Sequence, residues 1–303
     1  MSEPGTQPAT HAFLSHRGLL FTVAYEILGS ATDAEDVLQE TWLRWAQVDL
    51  DRVRDRRAYL LRIATRQALN HARSLNRRKE TYVGSWLPEP LLTSPDVAED
   101  VELAESVSTA LLVVLETLSA TERVVFVLHE VFGVEYAEIA ATLDKSAAAV
   151  RQIAHRARLH VQDRHQRHQT SPAQTRAVVQ SFHRALSTGD LETLLQLLAP
   201  EVVYVADGGG LRMAARHPVV GRQRVQRLLA GGMRIIGEEF STQPAGVNGG
   251  VGLLVHMRGT FDGVISLSVT RGRITGLYYM RNPHKLGWTA TPAPLTLERV
   301  PDS

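Results

Sequence analysis

Apolar residues recur every three or four positions through the first 80 residues, which is the spacing of one face of an α-helix. Gly29 ends the first of these stripes, and Thr32 with Glu35 predicts a capping box at the start of a second helix. A third stripe runs from Leu60 to Ala72. No strand-like alternation interrupts the stripes, so an all-α domain is expected over residues 10–80.

Residues 81–103 break this pattern with turn-forming and aromatic residues, and we expect them to form a linker. From Glu80 to Glu122 the chain has nine carboxylates and neither Lys nor Arg. Tyr82, Trp86 and Leu87 are nevertheless apolar enough to predict that the linker docks on a folded surface, because a purely flexible tether needs no such side chains.

The helical pattern returns over residues 104–168. Ser119 and Glu122 predict another capping box. A short helix from Tyr136 to Leu143 is followed by the tight turn 144–146, with Ser146 as N-cap of a longer helix from Ala147. The apolar face of that helix consists of Val150, Ile153, Ala154 and Ala157. This pattern predicts a helix-turn-helix.

Residues 171–288 mix the two periodicities. Helices are predicted from Ser171-Pro172 onward, over Leu191–Leu198 and near Arg222–Leu229, with a strand at Val202–Val205. Further strands are expected at 252–257, 263–269 and 273–279. Helices followed by antiparallel strands indicate an α+β domain with a curved sheet. Residues 289–303 hold three prolines and are expected to form a loose tail.

Composition narrows the class of protein. A length of 303 residues predicts two or three domains, and 44% hydrophobic residues are enough for packed cores. The chain has no cysteine, which excludes disulfides, thiolate metal sites and cysteine nucleophiles and favours a reducing cytoplasm. No apolar stretch approaches the roughly 18–20 residues that span a bilayer, and the polar N-terminus with Glu3 is unlike a signal peptide. We therefore expect a cytoplasmic protein without a membrane partner.

The net charge of +1 hides a strong segregation of charge. Arg52 to Lys79 contains ten basic residues and one acid, and Lys145 to His168 contains six against one. Between them, Glu80 to Asp144 carries thirteen acids and one basic residue. Two basic segments separated by an acidic one predict a polyanion partner, although solvated helix faces would give the same counts.

The helix from Ala147 is the candidate DNA-reading element, because the second helix of such a unit fits the major groove. Its candidate contacts are Ser146, Ala147, Ala148, Arg151, Gln152, His155 and Arg156. Arginine bonds guanine in bidentate fashion, glutamine does so with adenine, and alanine permits close approach. A helical hairpin inside a bundle core is the alternative.

The other basic segment lies on the third helix. Its candidate DNA contacts are Arg62, Arg66, Asn70, Arg73, Arg77 and Arg78. Basic side chains there would neutralise phosphates, and Asn70 could contact a base. A basic, solvated helix is the alternative.

The second helix has a different polar face. Asp36, Gln39 and Glu40 lie on it beside Trp42 and Trp45, and their negative charge suits a protein partner better than DNA. The alternative places both tryptophans in the core.

The segments Asp33–Trp42 and Ala58–Ala64 resemble region 2 of extracytoplasmic-function (ECF) sigma factors, and Tyr136–Ala140 with the following helix resembles region 4. The resemblance implies that Asp36, Gln39 and Glu40 bind bacterial core RNA polymerase. It also implies that the third helix helps to open the −10 promoter element and that the helix from Ala147 reads the −35 element. No cofactor is implied.

The C-terminal half is similar to a SnoaL-like domain of the NTF2-like superfamily, a cone-shaped α+β barrel. The implied architecture is thus two all-α sigma domains (a region 2 helical bundle and a region 4 helix-turn-helix) followed by this barrel, as in the ECF41-like subgroup. Segments Tyr82–Pro88, Asp207–Gly210 and Asn282–Leu286 fit that subgroup. Ser85 and His284 depart from it, since the subgroup typically has Pro and Asp there.

A regulatory role in cis is the favoured interpretation of the C-terminal domain. The candidate regulatory contacts are Trp86, Pro88, Asp207, Gly208, Gly209, Gly210, Asn282, Pro283, Lys285 and Leu286. Catalysis would have Asp207, Tyr204, His183 or His256 as candidates, but a glycine turn explains Asp207 as well. We expect no catalytic residue and no metal site. A DNA-targeted small-molecule sensor or enzyme is the second interpretation, and a ligand in the cone is left open.

Overall fold

The computed structural model describes residues 6–94, 101–164, 171–236 and 239–296. They divide into two compact units. The first unit comprises the chain up to Glu80, residues 114–165 and the segment from Pro294, and the second comprises residues 81–113 and 166–293. The predicted linker therefore belongs to the same unit as the C-terminal sheet.

The N-terminal part of the first unit is a three-helix bundle. It consists of α1 (Thr6–Leu28), α2 (Ala31–Trp45), a 3₁₀ turn (Leu50–Arg52) and α3 (Arg56–Glu80). The largest side chain of its core is Trp45, whose indole N–H donates to the carbonyl of Ala9 at 2.8 Å. The expected all-α bundle is confirmed.

The start of α2 differs from the predicted capping box. Ser30 is the N-cap and accepts from the backbone N–H of Asp33 at 3.1 Å, so the helix begins at Ala31 rather than after Thr32. Glu35 forms an ion pair with Arg17 of α1 instead of bonding the cap. The Thr32–Glu35 box was wrong because a tertiary ion pair uses the glutamate.

The boundary between the two units lies inside α5 (Thr109–Leu115), between Val113 and Val114. The second part of the first unit begins there. It contains α6 (Ala120–Phe126), a π-helical turn (Val127–Val131), α7 (Tyr136–Leu143) and α8 (Ala147–Arg164). Ser119 and Glu122 form the predicted capping box. Val150, Ala154 and Ala157 are buried as expected, while Ile153 is half-buried.

The second unit contains α4 (Val101–Ser106), most of α5, α9 (Pro172–Thr188), α10 (Leu191–Leu197), α11 (Arg222–Ile236) and a six-stranded sheet. The strands are β1 (Leu198–Asp207), β2 (Val219–Val220), β3 (Phe240–Val247), β4 (Gly250–Met257), β5 (Thr260–Thr270) and β6 (Arg273–Met280). Their order is β2-β1-β6-β5-β4-β3. Because β1 pairs with β6 in parallel, the sheet is mixed rather than wholly antiparallel.

The two faces of this sheet have different partners. Tyr204 and Ala206 point to the face that packs against α9–α11, here the helix face. Val203 and Val205 alternate with them and pack with Leu87 and Met280 on the opposite face, here the linker face. The period-2 alternation of a strand thus separates an apolar core from a docking surface for residues 81–113.

The β3–β4 hairpin holds the linker as well. Asn248 and Gly249 form its two-residue turn, both with positive φ. The Asn248 side chain accepts from the N–H of Leu91 at 3.1 Å and donates to the carbonyl of Val107 at 2.9 Å. The linker therefore docks on the second unit, as its apolar residues predict.

The described part of the predicted loose tail makes specific contacts. The N–H of Ala293 donates to the carbonyl of Leu92 in the second unit, and that of Thr296 donates to Thr22 Oγ1 in the first unit. Leu295 is buried. These contacts fix the chain as far as Thr296, whereas residues 297–303 lie outside the described residues.

No helix within the described ranges is long and apolar enough to cross a membrane.

Candidate functional site

The helix-turn-helix has a turn that the sequence chemistry accounts for. Asp144 ends α7 in the left-handed conformation (φ 53°), where a short polar residue is tolerated. Ser146 Oγ then accepts from the N–H of Ala149 at 3.2 Å, which satisfies one free donor of the first turn of α8. The turn and its cap match the prediction.

The predicted contacts of α8 form one solvent-facing surface. Ser146, Ala148, Arg151, Gln152, His155 and Arg156 are exposed, and Ala147 is half-buried. Arg151 lies over the ring of Tyr136, 5.9 Å from its centroid, and Arg156 is 3.7 Å from Glu122. The structure therefore brings all seven residues together at the start and outer face of one helix.

The predicted contacts of α3 also share an exposed side. They are Arg62, Arg66, Asn70, Arg73, Arg77 and Arg78. Three of them have protein partners: Arg62 lies over Tyr59, Arg78 pairs with Asp33 at 2.8 Å, and Arg66 binds the turn before α8. The side chains of the other three form no hydrogen bond or ion pair with any described residue.

The predicted polymerase-binding residues on α2 separate into two groups. Asp36 and Gln39 are exposed on one line with Leu43, which is 57% exposed. Glu40 instead turns toward α3, where its carboxylate accepts from Gln67 and lies 3.1 Å from His71 Nε2. Only the first group is free for a partner.

The tryptophans of α2 do not contribute to that surface. Trp45 is fully buried, and Trp42 is half-buried with its ring 5.4 Å from that of Phe13. Their packing in the bundle agrees with the core interpretation and excludes Trp45 as an exposed contact.

On the linker face of the sheet, Asp207 at the end of β1 is completely buried. Its carboxylate accepts from Tyr82 Oη, from the N–H of Leu87 at 2.9 Å and from Lys285 Nζ at 2.8 Å. Burial and the bond to Asp207 raise the pKa of the Tyr82 phenol, which therefore stays a donor. An aspartate that is bonded by the linker on two sides is a structural anchor and not a free general base.

Lys285 completes this group. Its ammonium also donates to the carbonyl of Leu87 at 2.8 Å and lies 3.2 Å from the centroid of the Trp86 ring. Cation–π contact with this half-buried ring adds to the ion pair. We call Tyr82, Trp86, Leu87, Asp207, Asn282 and Lys285 the linker latch.

Asn282 and the glycines after Asp207 position the latch. Asn282 Nδ2 donates to Tyr82 Oη at 2.7 Å, and its Oδ1 accepts from the N–H of His284. A Cβ on Gly209 (φ 62°) would lie 2.5 Å from the Asn282 side chain, and one on Gly208 would lie 2.2 Å from the carbonyl oxygen of Arg212. Both positions therefore require glycine. Gly210 also favours glycine through its positive φ of 74°, although a Cβ there would only approach Val83, at 3.4 Å.

The other predicted regulatory residues make fewer contacts with the linker latch. Pro88 is buried in the linker and Leu286 packs against the cluster around Leu87, but Pro283 is exposed. His284 is exposed too, so no buried ionic contact depends on this departure from the subgroup pattern. Ser85 is half-buried between the latch residues of the linker.

The four candidate catalytic residues are not brought together. Asp207 faces the linker, whereas Tyr204 points to the helix face. His183 bonds Thr242 Oγ1 at 2.6 Å, and His256 lies against Phe261. They do not converge on one reacting atom, and no cluster of three or more metal-binding side chains occurs within the described ranges.

A polar cluster that the sequence analysis missed lies beside Tyr204. Asp262 accepts from Tyr279 Oη at 2.6 Å and from Arg281 Nε at 2.7 Å. Asp262 is the extra residue of a β-bulge, because Val255 pairs with Gly263 and His256 with Phe261. The bulge re-aims its side chain. In the sequence, the only sign of this bulge is the neighbouring Gly263 within a strand pattern.

Comparisons with known proteins agree with this arrangement. Residues 12–78 match Sigma-70 region 2, and residues 108–161 match Sigma-70 region 4. The ECF RNA polymerase sigma factor SigJ of Mycobacterium tuberculosis is 37% identical over 90% of this chain and 91% of its own length. The SigI sigma factor of the same species is 34% identical over 92% and 95%.

The crystal structure of M. tuberculosis SigJ superposes with a TM-score of 0.77 at 35% identity, covering 94% of this chain and 99% of that one. The match includes the helical sigma regions and the C-terminal mixed sheet. The chain therefore belongs to the ECF family of RNA polymerase sigma factors.

Proposed function

We propose that this chain is a promoter-specificity subunit that binds bacterial core RNA polymerase and directs it to DNA in the cytoplasm, without enzymatic activity of its own. The observation that carries the proposal is the exposed surface of α8, with Arg151, Gln152, His155 and Arg156 directed to solvent from a capped recognition helix. Side chains of these types read base edges in the major groove.

The exposed residues of α3 and α2 supply the other two contacts. Asn70, Arg73 and Arg77 would meet the −10 element through phosphates and one base edge. Asp36 and Gln39, with Leu43 beside them, would dock on the polymerase, since an apolar side chain next to polar ones is typical of an interface.

Transcription in vitro with purified bacterial core polymerase tests this function. We expect promoter-dependent transcripts with the full chain. In Arg151→Ala, we expect the preference for one base pair of the −35 element to be lost, which corresponds to a binding free energy of about 1–3 kcal/mol. Arg184→Ala on α9 removes the same charge from an exposed position of the second unit and serves as the control. Absence of any promoter-dependent product would refute the proposal.

The second unit would regulate this activity in cis through the linker latch. Residues 81–113 connect the two sigma regions, and the latch bonds them to the sheet and to the turn after β6 within one unit. Holding or releasing the connector changes how freely the sigma regions separate, so its release would alter promoter recognition. No DNA-reading residue lies in the latch.

Small-molecule sensing is a second candidate function, favoured by the Tyr204 hydroxyl. Tyr204 is 8% exposed, and its hydroxyl has no hydrogen-bond partner among the described residues. The hydroxyl oxygen is not among the fully buried, unpartnered polar atoms of those residues, so it remains accessible to a small ligand. Burial raises the pKa of Tyr204 to about 12, so the group is a hydrogen-bond donor at neutral pH. An uncharged acceptor, such as a ketone, would suit it.

Titration of the full chain with acetophenone and with ethylbenzene tests the sensor. A bound ketone should lose about five- to tenfold in affinity in Tyr204→Phe, which corresponds to one hydrogen bond, while ethylbenzene is unaffected. Tyr278→Phe is the matched control, because Tyr278 belongs to the linker face. Equal affinity of wild type for both compounds, or no binding up to millimolar concentration, would exclude this candidate.

A further inference from the structure

The segment between α6 and α7 contains the π-helical turn Val127–Val131, shortly before the helix-turn-helix. The N–H of Phe132 donates to the carbonyl of Val127 at 3.3 Å, five residues back instead of the four of an α-helix. Single turns of this kind are frequent at functional sites. Here the turn carries His129 and Glu130, two neighbouring residues whose side chains both contact the helix-turn-helix.

His129 holds the aromatic ring at the start of α7. Its imidazole stacks on the phenol ring of Tyr136, with the ring centroids 3.9 Å apart and the planes inclined by 29°. The imidazole is fixed in turn, because its Nδ1 lies 3.0 Å from the carbonyl oxygen of Val134, to which it can only donate. The half-buried ring of Tyr136 is therefore restrained in its orientation.

Glu130 connects the same π-helical turn to α8. Its carboxylate accepts from Arg158 Nη2 at 2.5 Å. This bond raises the pKa of Arg158 above its usual value, and the neighbouring hydroxyl of Tyr136 acts in the same direction. Tyr136 is thus held at its ring by His129 and flanked at its hydroxyl by a guanidinium that is itself anchored.

The Tyr136 ring also contacts a predicted DNA-reading residue. Arg151 is seven residues before Arg158, so the two guanidinium groups project from the same face of α8. The Cζ of Arg151 lies 5.9 Å from the centroid of the Tyr136 ring, within the range of a cation–π contact. In the part of the chain that the structure describes, the Arg151 side chain forms no hydrogen bond or ion pair. The aromatic ring is what orients it there.

An aromatic ring restrains an arginine without using its N–H groups. A carboxylate would also orient Arg151, but it would occupy the donors that bond guanine O6 and N7 in bidentate fashion. Arg156, by comparison, lies 3.7 Å from the carboxylate of Glu122. Arg151 is both restrained and available, and a side chain that is already restrained loses less conformational entropy when it binds.

We propose that Tyr136 is a positioning residue for promoter reading, which directs Arg151 toward one base pair of the −35 element and so sets the strength of the preference at that base pair. The proposal rests on the −35 recognition by α8 proposed above. Tyr136 itself contacts no base, and His129 acts by holding its ring.

The test uses the full chain with core polymerase and a set of promoter duplexes, each with one base pair of the −35 element changed. Arg151→Ala identifies the base pair concerned, as the one whose identity no longer affects binding. Tyr136→Leu should lower the preference at that base pair about two- to fivefold, the equivalent of one exposed cation–π contact, and leave the other preferences unchanged. Tyr136→Phe keeps the ring and should retain all preferences.

Phe132→Leu is the matched control. Phe132 is a buried aromatic residue next to the same π-helical turn, and it makes no ring contact with Arg151. Its substitution should lower the thermal midpoint and leave the ratios of affinity among the duplexes as in wild type. A purely structural role of Tyr136 would give the same result in Tyr136→Leu, which would contradict the proposal.

The double variant with Arg151→Ala and Tyr136→Leu gives a second readout. If Tyr136 acts through Arg151, adding Tyr136→Leu has no further effect on any base-pair preference once Arg151 is absent. His129→Ala, which frees the Tyr136 ring without removing it, should lower the same preference and decides the question if Tyr136→Leu does not fold.

Two results would overturn the proposal: an equal loss of affinity for every duplex in Tyr136→Leu, or a uniform loss in Tyr136→Phe, which would make the hydroxyl a phosphate contact. Failure of the −35 recognition itself is visible separately, because Arg151→Ala would then change no base-pair preference.

Discussion

The carboxylate of Asp207 and the ammonium of Lys285 form a 2.8 Å ion pair that is almost completely sealed from solvent, although the two residues are 78 positions apart. Both groups also bond the backbone of Leu87, one accepting from its N–H and the other donating to its carbonyl. A single linker residue is therefore held from both sides by the sheet and by the turn after β6.

Breaking this pair should release the linker. Lys285→Met leaves Asp207 buried without its cation, which costs about 3–5 kcal/mol for a pair of this kind. We expect faster proteolysis between residues 82 and 92 and a lower thermal midpoint of the second unit. The exposed His284→Ala, one residue away, should change neither. Unchanged proteolysis in Lys285→Met would contradict the latch.

A side chain at Gly209 should disturb the latch through Asn282. Gly209→Ala adds both the strain of a positive φ, about 1–3 kcal/mol, and a clash at 2.5 Å. Gly259 has a similar φ of 71° but open space around it, so Gly259→Ala measures the strain alone. Urea unfolding of both variants should show the larger loss in Gly209→Ala, and equal losses would mean that the clash relaxes freely.

The Asp262 cluster predicts a dependence of stability on acid. Burial opposes ionisation, but the bonds from Arg281 and Tyr279 hold the pKa of Asp262 below its usual value. A carboxyl with a lowered folded pKa stabilises above its unfolded pKa, and this contribution is lost as the pH falls through the folded value. Acid titration should therefore show a shallower loss of stability below about pH 4 in Asp262→Asn than in wild type.

Substitutions of Glu40 and of the exposed Asp36 on α2 should have different effects on stability and on polymerase binding. Glu40→Ala removes the partner of Gln67 and His71 and is expected to lower the stability of the bundle by about 1 kcal/mol. Asp36→Ala on the exposed line should leave stability within about 0.5 kcal/mol and weaken binding to core polymerase. Thermal unfolding and a polymerase titration distinguish the two variants. If Glu40→Ala weakens polymerase binding and Asp36→Ala does not, Glu40 and not Asp36 lies in the interface.

Several elements were predictable because their causes are local. The helix-turn-helix follows from the spacing of Ile139, Val150 and Ala154 and from the cap at Ser146, all within sixteen residues. The strands of the second unit follow from alternation and glycine turns. Tyr82, Trp86 and Leu87 were expected to dock because they are apolar residues in a linker. Asp207, Asn282 and Lys285 were named as regulatory contacts only through family resemblance, since nothing in the sequence around Asp207 or Lys285 indicates that the two groups meet.

Other features could not be predicted from local patterns. Ser30 replaced the expected Thr32 cap because Glu35 pairs with Arg17 on another helix. Asp262 was missed because a bulge changes which way its side chain points. Lys79 and Glu116 are separated by 37 positions that include the linker, so only folding places them together.

The sequence by itself determined which helices form and which of their faces carry charge, because helical periodicity and capping act over a few residues. Only the tertiary structure decided which charges are free and which are engaged: on α3, Asn70, Arg73 and Arg77 remain available while Arg66 and Lys79 are bound. The physical reason is that an ion pair depends on the distance between two side chains in space, and that distance is set by packing between residues far apart in the chain.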